Sequence, residues 1–425
     1  MAESLLTLTI ERPVAGGRML ARHEGRVVLV AGAIPGERVR ARLEPGSRKV
    51  WFASTVDVID ASADRRVPIG DPACGGLTYA HVEPARQRAL KSEVVADSFR
   101  RLGRITLEYP VPVAASPERG FRLRGRVHVK DRRAGFFLER THRLCDAGAT
   151  AQFGDATLDV VSQVLRQLGA EADHCGSIQI AENVVASERV CHLEPVEGRR
   201  LDLDAITARW GACEGLTGLT AISGGRFVRC DGNARVTDTA AQLAGSGVVP
   251  ADVQWTRTAA SFFQGNRFLT GALLARVLDC APGDRVLDLY AGVGLFSVAL
   301  AARGSAVTAI EGDDMSVADL EINAAPWCRT LTTRQASVEA ALLTVAPSAF
   351  DVVVLDPPRT GASPEAVAGV LAVAAPRIVY VSCDPATLAR DAALLVAGGY
   401  VLRSVEAFDL FPNTPHVEML AVFDR

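Results

Sequence analysis

The stretch from Arg285 to Glu311 constrains the fold more than any other part of the chain. Arg285-Val286-Leu287-Asp288-Leu289-Tyr290 has the composition of a strand, Ala291-Gly292-Val293-Gly294 that of a tight turn, and Phe296 to Ala302 that of an apolar helix; Ala306-Val307-Thr308-Ala309-Ile310-Glu311 reads as the next strand. Strands this apolar must be covered on both faces, as in a parallel sheet flanked by helices. The alternation continues through 350–356 and 377–382. From residue 256 to 425 the sequence therefore predicts an α/β domain built on a doubly wound, mostly parallel sheet.

The 425 residues, 48% of them hydrophobic, supply enough apolar material for more than one core. Residues 4–60 alternate apolar and polar positions in short runs separated by Gly16-Gly17, Pro35-Gly36 and Pro45-Gly46, which predicts an N-terminal OB-like β-barrel of about five strands over 1–60. Between them, 61–255 reads as a central α+β domain. It has a helix over Pro84–Leu102, with Ala85, Ala89, Val94, Val95, Phe99 and Leu102 as its apolar stripe, and a strand over Phe121–Lys130 with one cationic face. A second helix falls over 155–169, whereas the strands of 176–255 have no order legible from sequence.

A net charge of −3 hides a polarity along the chain. Residues 1–150 hold 26 Lys and Arg against 17 Asp and Glu; residues 151–425 hold 20 against 32. A basic N-terminal part suggests a polyanion as partner, although only 3 of the 46 cations are Lys, a usage that genome composition would also produce. No run approaches the roughly 18 apolar residues of a membrane span, and the N-terminus lacks the basic start and apolar block of a leader, so a cytoplasmic protein without a membrane partner is expected. Nine irregularly spaced cysteines are expected to be reduced thiols.

Four motifs carry chemistry. The turn at Gly292 and Gly294 lets a ligand approach the backbone, and Glu311 at the end of the following strand has the position of a ribose-binding carboxylate. The turn lacks a third glycine and any phosphate-binding cation, which suits S-adenosylmethionine better than a dinucleotide. Asp356-Pro357-Pro358-Arg359 follows a strand at the edge where such sheets bind ligands. Near the C-terminus, Ser382-Cys383-Asp384-Pro385 offers a thiol and Phe411-Pro412-Asn413-Thr414-Pro415-His416-Val417-Glu418 a carboxylate, a nucleophile and a base.

Together with Ser261-Phe262-Phe263-Gln264-Gly265-Asn266 and Gly135-Phe136-Phe137-Leu138-Glu139-Arg140-Thr141-His142, these motifs resemble the RNA uracil-5 methyltransferase family over nearly the whole chain. Gly16-Gly17-Arg18 with Ala33-Ile34-Pro35-Gly36-Glu37-Arg38-Val39 resembles the TRAM domain, an RNA-binding barrel, with Arg18, Arg22, Arg40, Arg42, Arg48 and Lys49 as candidate phosphate contacts. The resemblance implies S-adenosylmethionine-dependent formation of 5-methyluridine, with Gln264, Tyr290, Gly292, Gly294, Glu311 and Asp356 binding the cofactor, Cys383 as nucleophile and Glu418 as proton acceptor. The barrel points to 23S rRNA as substrate, with tRNA, or an inactive RNA-binding protein, as alternatives; a monomer is expected. Many relatives hold an iron–sulfur cluster on four cysteines. Here the matching segment is Cys74-Gly75-Gly76-Leu77, with Cys145 out of register and Ala147 after Asp146, so no cluster is expected.

Overall fold

The computed structural model describes residues 5–45, 50–139, 141–245 and 247–425. At the N-terminus, alternating residues of β1 (Leu5–Pro13), β2 (Met19–His23), β3 (Arg26–Ala31), β4 (Arg38–Leu43) and β5 (Trp51–Asp60) turn inward to close the barrel β1-β2-β3-β5-β4. Gly16 and Gly17, with φ of +89° and +91°, make the turn between β1 and β2 in a conformation that side chains disfavour. Of the arginines expected to meet phosphates, Arg18 is instead buried: its guanidinium donates to the Glu44 carboxylate at 2.9 and 3.1 Å and to the Ala53 carbonyl at 3.1 Å. It braces the barrel and is not available to a ligand. Arg40 is paired with Asp57 and Arg22 lies 3.5 Å from Glu11, both on the exposed surface. Arg48, Lys49 and Arg140 lie outside the described residues.

A helix over Pro84–Ser98 follows, ending in a wider turn at Phe99–Gly103. Its buried face is Gln87, Leu90, Lys91, Val94, Val95 and Ser98, so the predicted stripe is rotated; Leu102 is exposed. Two polar side chains replace apolar ones on that face because both serve as donors to the C-terminal loop. The Lys91 ammonium pairs with the buried Asp409 carboxylate and donates to the Phe411 carbonyl at 3.1 Å.

After β6 (Val113–Ala114), the central part forms a seven-stranded sheet, β13-β12-β11-β10-β7-β8-β9. In chain order these are β7 (Arg124–Lys130), β8 (Arg133–Phe137), β9 (Leu144–Asp146), β10 (Cys175–Glu182), β11 (Arg189–Pro195), β12 (Gly218–Ser223) and β13 (Arg226–Gly232). Val127, Val129, Ile178 and Ile180 pack under the helices Asp155–Leu168 and Leu203–Arg209, which leaves the cationic residues of β7 on the opposite face. The ladder of β14 (Arg235–Thr239) and β15 (Gln254–Thr258) leads into the last part.

There the predicted α/β sheet is present, with order β18-β17-β16-β19-β20-β22-β21-β6. Its strands are β16 (Arg285–Leu289), β17 (Ala306–Glu311), β18 (Leu331–Gln335), β19 (Val352–Leu355), β20 (Arg377–Ser382), β21 (Val401–Phe408) and β22 (Glu418–Asp424). β16 to β20 run parallel; β22 inserts antiparallel between β20 and β21, and β6 joins the far edge. The order reverses beside β16, which opens a crevice at the carboxyl ends of β16 and β19. Among the described residues no helix is long and apolar enough to cross a membrane.

Lys91→Met leaves the Asp409 carboxylate buried without its partner and is expected to cost about 3–5 kcal/mol. Thermal melting checks this: the single variant melts well below the parent chain, and adding Asp409→Leu recovers part of the loss.

Candidate active site

The turn after β16 is shaped by left-handed residues: Tyr290, Gly292 and Gly294 have φ of +62°, +56° and +89°. Glu311, at the end of β17, holds that turn against its own strand. One carboxylate oxygen accepts the Gly292 N–H at 2.7 Å, and the other accepts the Gly312 and Asp313 N–H groups at 2.7 Å each. Gly294 works differently from Gly292: a Cβ there would lie 2.7 Å from Leu320 Cδ1, so its bareness lets the following helix Leu295–Ala302 pack, and it does not line the cleft.

Behind the turn, Asp288 is fully buried, with one oxygen bonded to the Ser297 hydroxyl and the other, Oδ1, without a partner. Burial raises its carboxyl to about 7. Asp356, just beyond β19, receives the Gln264 amide at 3.4 Å and is likewise raised, first by desolvation and then by the charge of Asp288. The partly buried Asp356 on the cleft wall, with the unpartnered Asp288 behind it and an acid-capped glycine turn beside it, fits a ligand that brings positive charge and ribose hydroxyls, as S-adenosylmethionine does.

The nucleophile and base meet through strand pairing. β20 and β22 are antiparallel, with Ser382 opposite Met419. Continuing that register by one residue sets Cys383 opposite Glu418, the first residue of β22. Glu418 is buried, and its carboxyl is pushed well up by desolvation and by Asp356, with the Arg359 guanidinium opposing. Cys383 is half-buried; burial, then the Glu418 and Asp356 charges, push its thiol up to about 12, again against Arg359.

Cys383, Glu418, Gln264, Tyr290, Gly292, Glu311 and Asp356 all line one cleft of about 1080 Å³. Its outer wall comes from residues to which the sequence reading gave no individual role. The Arg122 guanidinium sits 5.4 Å from the Phe411 ring centre, and Arg124 sits 5.4 Å from that of Phe262, which is 55% exposed at the cleft mouth. Burial lowers both arginines to about 10, so they stay charged at neutral pH. His416, desolvated and facing Arg359, Lys91 and Arg122, is lowered to about 4 and is neutral there. The signal for Arg122 and Arg124 was the cationic alternation of 121–130; single aromatics such as Phe262 and Phe411 carried no separate signal. The cleft thus has a carboxylate-lined floor and a cationic, aromatic mouth, suited to a cationic cofactor below and an RNA base above.

A tRNA (uracil-5-)-methyltransferase family model matches residues 247–425. A 23S rRNA (uracil(1939)-C(5))-methyltransferase of Halomonas elongata is 34% identical, covering 100% of this chain and 90% of that protein. The chain belongs to the RNA uracil-5 methyltransferase family. An uncharacterized RNA methyltransferase of Streptomyces avermitilis is 33% identical over 97% of this chain and 96% of its own length. The crystal structure of Pyrococcus abyssi tRNA (uracil-54, C5)-methyltransferase in complex with S-adenosyl-L-homocysteine has the same fold, with a TM-score of 0.75 over 98% of this chain and 99% of that one at 23% identity.

In this member of the family the expectation of nine reduced thiols is corrected: Cys74 and Cys145 form a disulfide, with Cα atoms 5.8 Å apart. Cys145 is not isolated, because the Cys74 strand segment bridges to Leu138 and β9 pairs with β8, which brings the two thiols together. With Leu77 and Ala147 beside them, two sulfurs bonded to each other do not fit a four-thiolate cluster.

A thiol near 12 is almost wholly protonated at neutral pH, and its thiolate fraction grows about ten-fold per pH unit below that value. Iodoacetamide labelling of Cys383 in the ligand-free protein, followed by peptide mass spectrometry, is expected to rise steadily from pH 7 to pH 10 without a plateau. A plateau near pH 8 would show an activated thiolate.

Proposed function

We propose that this methyltransferase forms 5-methyluridine in 23S rRNA through a covalent cysteine adduct. The observation that supports the mechanism is that Cys383 and Glu418, each one residue beyond the Ser382–Met419 pair that ends the β20–β22 register, both line the cleft. As carbon 5 of uracil is weakly nucleophilic, the Cys383 thiol first gives its proton to solvent, and addition of the thiolate to carbon 6 moves the ring electrons onto carbon 5 and the carbon-4 oxygen. Bound S-adenosylmethionine, held by Gln264, Tyr290, Gly292, Glu311 and Asp356, supplies an electrophilic methyl group to carbon 5. Glu418 then takes the carbon-5 proton; the C–H electron pair forms the C5=C6 bond, the C6–S bond breaks, and the thiolate is regenerated. Desolvation of Glu418 strengthens it as a base, and Arg359 is the cation beside the sulfur that favours its anionic form.

The substrate assignment is supported by the full-length relatives that act on 23S rRNA. A uracil in a folded RNA must leave its stack to reach a half-buried thiol, and Arg122, Arg124 and Phe262 at the mouth suit a splayed backbone and an unstacked neighbour. The barrel contributes further RNA-binding surface in this reading.

The test combines S-adenosylmethionine with in vitro transcripts of 23S rRNA and of tRNA. The parent chain is expected to produce 5-methyluridine in 23S rRNA only, Glu418→Gln to accumulate a methylated, SDS-stable protein–RNA adduct, and Cys383→Ala to give neither. Methylation of tRNA alone would reassign the substrate. Methylation retained in Cys383→Ala would overturn the covalent mechanism, and RNA binding without any methylation would leave an inactive RNA-binding protein.

A further inference from the structure

The loop between β21 and β22 delivers Glu418, and it is held almost entirely from another part of the chain. The Asn413 side-chain oxygen accepts the Gln87 amide N–H at 2.8 Å and the Arg66 guanidinium at 2.8 Å, while the Asn413 backbone N–H donates to the Gln87 side-chain oxygen Oε1 at 2.8 Å. The Tyr79 N–H donates to the Asn413 carbonyl at 2.7 Å. Gln87 is in turn fixed by donating to the Tyr79 and Val82 carbonyls at 3.1 and 2.9 Å. Asn413 has a φ of +63°, a conformation that few residues other than glycine, Asn and Asp adopt readily. One helical turn on from Gln87, Lys91 holds Asp409 and the Phe411 carbonyl. The space beside Gly17, at the β1–β2 turn of the barrel, is filled by Pro415, whose Cγ would lie 2.9 Å from a Cβ at that glycine.

By contrast, the Cys383 side of the cleft makes none of these contacts. Asp384 caps the helix Pro385–Ala397, accepting the Ala386 and Thr387 N–H groups at 3.0 and 2.8 Å, and that helix meets the Pro84–Ser98 helix through apolar packing of Val95 and Phe99 with Leu388 and Ala392, not through the Gln87 hydrogen bonds. Nucleophile and base share the β20–β22 pairing, but only the base follows a loop whose backbone and side chains Gln87 and Lys91 hold by hydrogen bonds.

From this we infer that Gln87, with Asn413, is a positioning device for the proton-removal step, acting through Glu418 and not on the thiol. The inference rests on the reading of Glu418 as the base. Loosening the clamp leaves sulfur addition and methyl arrival intact and slows only loss of the carbon-5 proton, whose electron pair must re-form the ring double bond as the sulfur departs. A misplaced base costs rate steeply, because proton transfer requires hydrogen-bond reach.

The experiment is a single turnover of each variant with methyl-labelled S-adenosylmethionine and a 23S rRNA transcript, or a tRNA transcript if that is the RNA the chain methylates. Methyl incorporation and decay of the SDS-stable adduct are followed separately. Asn413→Gly keeps the positive φ and removes the acceptor; its adduct is expected to decay about ten-fold or more slowly while methyl incorporation changes little. Asn413→Asp keeps both the conformation and the acceptor and is expected to decay several-fold faster than Asn413→Gly. Gln87→Met, which removes both Gln87–Asn413 bonds from the helix side and leaves the Arg66 bond, serves if Asn413→Gly does not fold. Equal slowing of both phases, or no rescue by Asn413→Asp, would reduce the clamp to a structural role and overturn the proposal. Failure of Glu418→Gln itself to accumulate methylated adduct would instead sink the assignment of Glu418 as base.

Discussion

The buried Lys91–Asp409 ion pair is the contact on which the arrangement of the whole chain depends. An ammonium removed from water is stabilised only by a partner fixed in place, and burial already pulls Lys91 down while Asp409 opposes. The residues that satisfy it lie far apart in sequence, one on the helix after the barrel and one in the loop before the last strand. That makes the pair a specification of assembly as much as a source of stability: the N-terminal segments have one seat against the methyltransferase sheet. The Arg66 bond to Asn413 and the Asn266 amide, which donates to the Leu410 carbonyl at 2.9 Å, fasten the same loop from two further sides.

The cleft holds desolvated charge of both signs. Asp356 and Glu418 line it and Asp288 is buried behind it, all three carboxyls raised by desolvation; Arg122 and Arg124 line it too, both guanidinium groups lowered by desolvation. Arg359 offsets part of the negative charge at Glu418, but desolvation remains the largest influence on every one of these groups. A sulfonium with its amino group and a phosphate backbone bring the complementary charges.

Much of this was legible before the structure. The parallel strands β16, β17, β19 and β20 are mostly apolar, and the residues at their carboxyl ends stand out as chemistry against that background. β22 is as apolar from Met419 to Phe423, but nothing in that run marks its antiparallel return, which is what brings Glu418 toward Cys383. The face of the helix Pro84–Ser98 was misread because periodicity counts Gln87 and Lys91 as solvent-facing, and only a distant loop explains their burial. Arg18 misled for the opposite reason: a cation on a small barrel has the composition of a phosphate contact, whereas Glu44 and two carbonyls absorb it from within. The order of the central sheet depends on the parallel β11–β12 pair formed across a long connection, which local sequence does not encode.

The β20–β22 register has a consequence for how such a chain tolerates change. The spacing of thiol and carboxylate is fixed by hydrogen bonds on the strand side of both residues, from Ser382–Met419 to Arg377–Asp424. Residues gained or lost in the intervening helix–strand connection leave that pairing untouched. A single residue gained or lost within β22 would turn alternate side chains to the opposite face of the sheet and take the carboxylate out of the cleft. The active site is therefore insulated from length variation in the turn between the helix Pro385–Ala397 and β21, and exposed to it in the loop that Gln87 and Lys91 hold and in the last strand.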